Sequence, residues 1–241
     1  MIRQRVTTPT ENTITVKSGD ITLTIADLNI VTGSSPISVT AGATLTLNAV
    51  GTNRLASNGS AVIYVPKDAE LIIQGTGVVD AIGGRYGNAC IGGSGSKITI
   101  NGGTVNAAAE DSGSGIGGPN STVMITGGSV TAAGGYHAGI GGNLSAVTIT
   151  GGTVTATGGS SASGIGGTGS VVDIQNDAVV NAYGYYHSIG GNSSDNENGC
   201  SRITISASAS VTTGPTVNHS SAYTDFQEKL NIKHILRTPQ L

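Results

Sequence analysis

The stretch VTITGGTVTATGGSSASGIGG, residues 147–167, contains the grammar of most of the chain. Val147 and Ile149 alternate with threonines until Gly151 and Gly152. Val154 and Ala156 alternate until Gly158 and Gly159, a polar turn follows, and Gly164-Ile165-Gly166-Gly167 closes the unit. Period-two alternation puts apolar side chains on one face of an extended strand and threonines on the other. Paired glycines supply the backbone angles that tight corners need. Three short extended runs and three corners therefore describe one rung of a solenoid.

The unit recurs. Aligned on the isoleucine of Ile-Gly-Gly, the chain reads Ile91, Ile116, Ile140, Ile165 and Ile189, at intervals of 24 or 25 residues. Close copies occupy 98–118 and 123–142, and a looser one occupies 172–191. A repeat of this period, with strands and no 3.6-residue pattern, predicts an all-β, single-stranded, right-handed parallel β-helix. Stacking in register would set Val147 over Val123 and Ile98, and Ile140 between Ile116 and Ile165. Small residues such as Ala107, Ala132 and Ala156 suit a narrow interior. Weaker copies at 20–32, 43–51 and 69–81 extend the count to about eight coils, a rod of roughly 40 Å.

The repeat sets the expected organisation: an N-terminal arm or cap over 1–19, the β-helix over 20–213, and a cap or docking segment over 214–241. The tail breaks composition, with charged residues and the sole phenylalanine, Phe226. Thr224 and Gln227 have capping-box spacing for a short helix carrying Phe226 and Leu230. Such a cap, helical or irregular, would cover an open end that otherwise invites strand pairing. Phe226 and Leu230 are equally candidates for an interface.

Composition excludes several classes. The chain has 241 residues, 39 of them glycine, with only 10% charged residues and a net charge of −3. Charge this sparse and slightly acidic lacks the basic footprint of a nucleic-acid binder, and it is not the highly charged composition of disordered chains. Glycine without a strict every-third-residue period is not collagen. No run reaches 18 apolar residues, so membrane insertion is not expected. The first sixteen residues carry a basic pair but no apolar run, and do not read as a signal peptide. An extracellular or cell-surface location is still expected, with a virion as the alternative.

Reactive chemistry is sparse. The acidic residues are scattered, whereas β-helix lyases and polysaccharide hydrolases need carboxylates, with Arg or Lys, converging on one face. A glycosidase needs two carboxyls at a set separation. Arg85, Glu110 and Asp111 share a turn region, and Asp80 falls one coil before Asn106 with no basic partner evident. No nucleophile elbow or zinc-protease motif occurs. A non-enzyme is expected, with no cofactor. Asp195 and Glu197, in the loop DNENG (195–199), are lesser candidates for calcium. His137 and His187 fall two coils apart, too far to share a metal ion. Cys90 replaces the glycine before Ile91 and reads as a small buried residue. Cys200 sits in the inserted loop 192–202 and is the candidate for an intermolecular bridge. Thr153, Thr155 and Thr157 could order surface water, but neighbouring coils break that array.

The unusual side chains gather in the variable turn before each Ile-Gly-Gly. Arg85-Tyr86, Glu110-Asp111, Tyr136-His137, Ser160-Ser161 and Tyr185-Tyr186-His187 should all fall on one ridge. Five of the seven tyrosines (Tyr86, Tyr136, Tyr183, Tyr185 and Tyr186) sit at or beside it. Aromatic corners alternate with polar ones, which spaces tyrosines about 10 Å apart. Tyr offers an apolar ring and a hydroxyl, the combination that sugar faces need. Tyr86, Tyr136, His137, Tyr185, Tyr186 and His187 are therefore the candidate carbohydrate-binding residues. The competing reading gives these tyrosines a covering role over glycine backbone, or a place in a subunit interface.

The reiterated ITGGTVTATGG and SGIGG segments resemble the Gly- and Thr-rich parallel β-helix surface domains of Gram-positive anaerobes. The resemblance covers 70–205 well and 20–69 loosely. It implies a non-catalytic, pectate-lyase-like fold of the carbohydrate-binding type. A weaker resemblance is to phage appendage β-helices. The partners expected are a polysaccharide or cell-surface glycan, with self-association or an assembly partner as the alternative. In that alternative the chain is a purely structural subunit of a virion, fibre or surface assembly. Fold alone does not choose between these.

Overall fold

A computed structural model of the chain describes residues 1–4, 8–185, 187–191 and 202–215. These residues form a right-handed parallel β-helix. One coil shows how it is built. Ala146–Ile149 lies in the first sheet, Thr153–Thr157 in the second, and Ile165 bridges the third. The first sheet has nine strands, the second eight and the third five, with every pairing parallel. About seven coils reach all three sheets, and Arg202–Ile205 with Ser210–Pro215 begin another.

Register follows the repeat residue by residue. Ile98, Val123, Val147 and Val172 stack in the first sheet. Val105, Val130, Val154 and Val180 stack in the second, beside Ala107, Ala132, Ala156 and Ala182. Ile116, Ile140, Ile165 and Ile189 are joined by successive bridges in the third. The column also runs toward the N-terminus through Ile91, Ile63 and Ile37. All these side chains are buried except Ile189, which packs partly exposed against the core. Removing such columns from water is the main favourable term available to so thin a cylinder.

The corners show why glycine recurs. Gly152 has φ +81°, in the left-handed region that a side chain rarely adopts. Serines brace the turns into the first sheet. The Gly142 amide donates to Ser145 Oγ and the Gly167 amide to Ser170 Oγ, each at 3.1 Å.

Residues at the N-terminus lie against the first coil. Ile2–Arg3 pairs with Ile25 and Ala26, Thr10 bridges Ile30, and Ile14–Val16 pairs with Ile37–Val39. These pairings extend the sheets at one end of the stack. The expected C-terminal cap falls on residues outside the described set beyond Pro215, and Phe226 and Leu230 lie there.

Candidate functional site

The turns between the second and third sheets stack into one ridge, and backbone hydrogen bonds tie each to a neighbouring coil. The Glu110 amide donates to Gly83 O at 2.8 Å. The amides of Gly135, Gly159 and Tyr185 donate to Gly113 O, His137 O and Ala162 O, each at 2.9 Å. Tyr86, Tyr136 and Tyr185 project from this ridge with 76%, 50% and 54% of their surface exposed. They occur in every second coil. The rings stand on these stacked turns and present themselves to solvent.

The intervening corners differ. Glu110 is buried and pairs with Arg85 of the preceding coil. That charged pair ties two coils together within the ridge. Tyr136 and His137 meet edge to face, with centroids 5.8 Å apart and an interplanar angle of 87°. His137 thereby limits the directions in which the Tyr136 ring can lie. His187 is exposed, and its Nδ1 lies 2.9 Å from Gly191 O, so the Nδ1–H tautomer donates there. Tyr86 has φ +58°, a left-handed conformation uncommon for an aromatic residue. Tyr183 belongs to the second sheet, in register with Thr157 and Gly214, and is partly buried.

Tyr186, Asp195, Glu197 and Cys200 lie outside the described residues. Among the described residues, no group of three His, Cys, Asp or Glu side chains is placed to hold a metal ion. Cys90 is free and fully buried, and burial pushes its thiol well above the usual cysteine range. The threonine array is broken as the repeat implies: Thr155 lies between Thr131 and Asn181, and Thr153 between Ser129 and Val179.

Two groupings were missed in the sequence. Arg54 is in register with Asp80, which is in register with Asn106. Asn106 Nδ2 donates to Asp80 Oδ1 at 2.7 Å. Burial raises the Asp80 pKa above 3.8, and the Asn106 hydrogen bond and the Arg54 charge offset part of that rise. The basic partner absent from the sequence reading is therefore Arg54. The second grouping is a groove of about 950 Å³ beside Tyr64, Lys67 and Asp68. Ile63-Tyr64-Val65 stands where later coils carry Ile-Gly-Gly. Tracing the isoleucine column one coil upstream from Ile91 would have found it.

Three consecutive stretches, 98–119, 123–144 and 147–170, match the family model described as a β-helix repeat. With the stacked sheets, that match makes the chain a parallel β-helix protein. Searches of curated proteins and of solved structures find no significant match.

Proposed function

We propose that the chain is a non-catalytic extracellular or cell-surface adhesive module that binds polysaccharide along the tyrosine ridge. The observation that carries this reading is the exposure of Tyr86, Tyr136 and Tyr185 on one stacked edge, two coils apart each time. A row of rings with a fixed step offers repeated apolar faces and hydroxyls to a polymer that itself repeats. Weak contacts of this kind add through effective concentration once the first is made.

The non-catalytic part follows the scattered acidic residues and the lack of a catalytic motif in the sequence. Asp80, in register with Arg54 and Asn106, is the group an activity assay would examine first. A glycan panel tests the whole reading. Tyr136→Ala and Tyr185→Ala should each weaken binding by about 2- to 10-fold, with the fold intact by circular dichroism. Unchanged binding in both variants would remove the ridge from the account. Release of shortened chains from a bound polysaccharide would remove the non-catalytic reading.

A second reading, a structural subunit of a virion, fibre or surface assembly, is favoured by Ile203 and Ile205. They continue the inward columns of Val172 and Ile174 yet are exposed. A second copy placed end-on would cover them, in competition with the cap that the sequence predicts over 214–241. Solution mass that rises with concentration, without any glycan binding, would select this reading over the first.

A further inference from the structure

We infer that the groove beside Tyr64 is a second saccharide site, shaped for a short uncharged segment of a glycan. The inference rests on the saccharide reading above but uses different residues. The groove measures about 950 Å³, the upper part of the range usual for small-ligand sites. It lies across three successive coils, so its length along the rod is about 10 Å, two strand spacings.

Its shape follows from a break in the repeat. Tyr64 is 40% exposed and stands in register with Gly92 and then Gly117. Coils beyond Tyr64 therefore carry no side chain at that position. The tyrosine ring lies beside Gly93, where its Cε2 would be 3.6 Å from an added Cβ. A ring wall next to bare backbone leaves room for a flat apolar face to stack on Tyr64.

The polar lining points to hydroxyls more than to a charged ligand. Lys67 and Asp68 are adjacent, exposed and opposite in sign, and neither forms an ion pair with a described residue. Together they bring no net charge. They offer ammonium donors and carboxylate acceptors to the same ligand, as vicinal hydroxyls require. The Lys67 stem passes over Gly95, where an added Cβ would meet its Cβ and Cγ at 3.1 Å. Asn120, with φ +57°, presents an exposed amide from the far wall. Asn88 Nδ2 already donates to Arg85 O at 2.8 Å, which fixes that amide at the edge nearest Tyr86. The groove and the ridge thus adjoin at the 85–88 turn.

The test uses the full chain and three proteins: wild type, Tyr64→Ala with Asp68→Asn, and Tyr136→Ala with Tyr185→Ala. Neutral and uronate-containing disaccharides and their parent polymers are titrated by calorimetry. The inference expects neutral disaccharides to bind wild type and the ridge variant equally. It expects the groove variant to lose about tenfold or more, with Tyr64→Phe alone retaining most of the binding through its ring. Disaccharide binding undiminished in the groove variant would overturn the groove and leave the ridge standing. Selective binding of uronates, lost in Lys67→Ala, would overturn the uncharged specificity. Failure of every glycan to bind wild type would overturn both readings together. All these residues are at the surface, and unchanged thermal melting of each variant would exclude unfolding as the cause of a loss.

Discussion

Replacing Gly159 by alanine tests the stacking of the ridge more sharply than any change in the core. A Cβ at Gly159 would lie 2.1 Å from Gly135 O, 2.6 Å from Gly135 C and 2.7 Å from Tyr136 Cα. All three are backbone atoms, so no side chain can swing aside. Real Cβ atoms do not approach within 3.0 Å, and the two turns must part by about 1 Å. That movement strains the bond from the Gly159 amide to His137 O, now 2.9 Å. Overpacking of this kind costs about 1–3 kcal/mol, and a weakened hydrogen bond adds about 1 kcal/mol. A loss of about 2–4 kcal/mol lowers Tm by roughly 4–16 °C in a chain of this size. Gly87→Ala is the control, because nothing lies within 4 Å of a Cβ there and only the φ of +82° opposes it. That control should cost about 1–2 kcal/mol. Urea unfolding followed by circular dichroism compares the two. A Gly159→Ala loss no larger than that of Gly87→Ala would refute the close packing of successive turns.

Other consequences follow from buried polar groups. Asp80 has a raised folded pKa, so between its unfolded value and that raised value the native state binds more protons than the unfolded one. Stability attributable to this group is highest below that window and declines as pH rises through it. Asp80→Asn, which can still accept from Asn106 Nδ2, should therefore stabilise the protein at neutral pH and give little change near pH 3, read from Tm at both values. Cys90 is buried with a raised thiol pKa. In a Cys200→Ser background it should resist thiol reagents in native buffer and react once denaturant unfolds the chain, and fast native labelling would contradict its placement. Ile140 is fully buried between Ile116 and Ile165, and Ile140→Ala should cost about 2–5 kcal/mol in urea unfolding.

The repeat made most of the fold legible, because side chains alternate with period two and coils share one length. Val147, Val123 and Ile98 had to coincide once Ile140 and Ile116 did. The same logic put Tyr86, Tyr136 and Tyr185 on one edge. What escaped the sequence lies where the grammar weakens. Arg54 sits in Thr52–Ser57, a strand without a preceding glycine pair, so nothing marked its register with Asp80. Tyr64 interrupts the Ile-Gly-Gly pattern by substitution, and its use depends on the empty positions of Gly92 and Gly117 beside it. The Arg85–Glu110 pair was visible as a shared turn, but its direct contact required the three-dimensional path of two corners.

The central claim is that a glycan lies along the ridge and is read by rings in alternate coils. Four strand spacings separate Tyr86 from Tyr185, about 19 Å along the rod. The direct measurement is affinity against chain length, using one bound polysaccharide cut into oligosaccharides of defined size. Affinity should climb until the oligosaccharide spans from Tyr86 to Tyr185 and then level off. In Tyr136→Ala the rise should be interrupted midway. Affinity that does not change with length, or a rise that Tyr136→Ala leaves intact, would contradict the account.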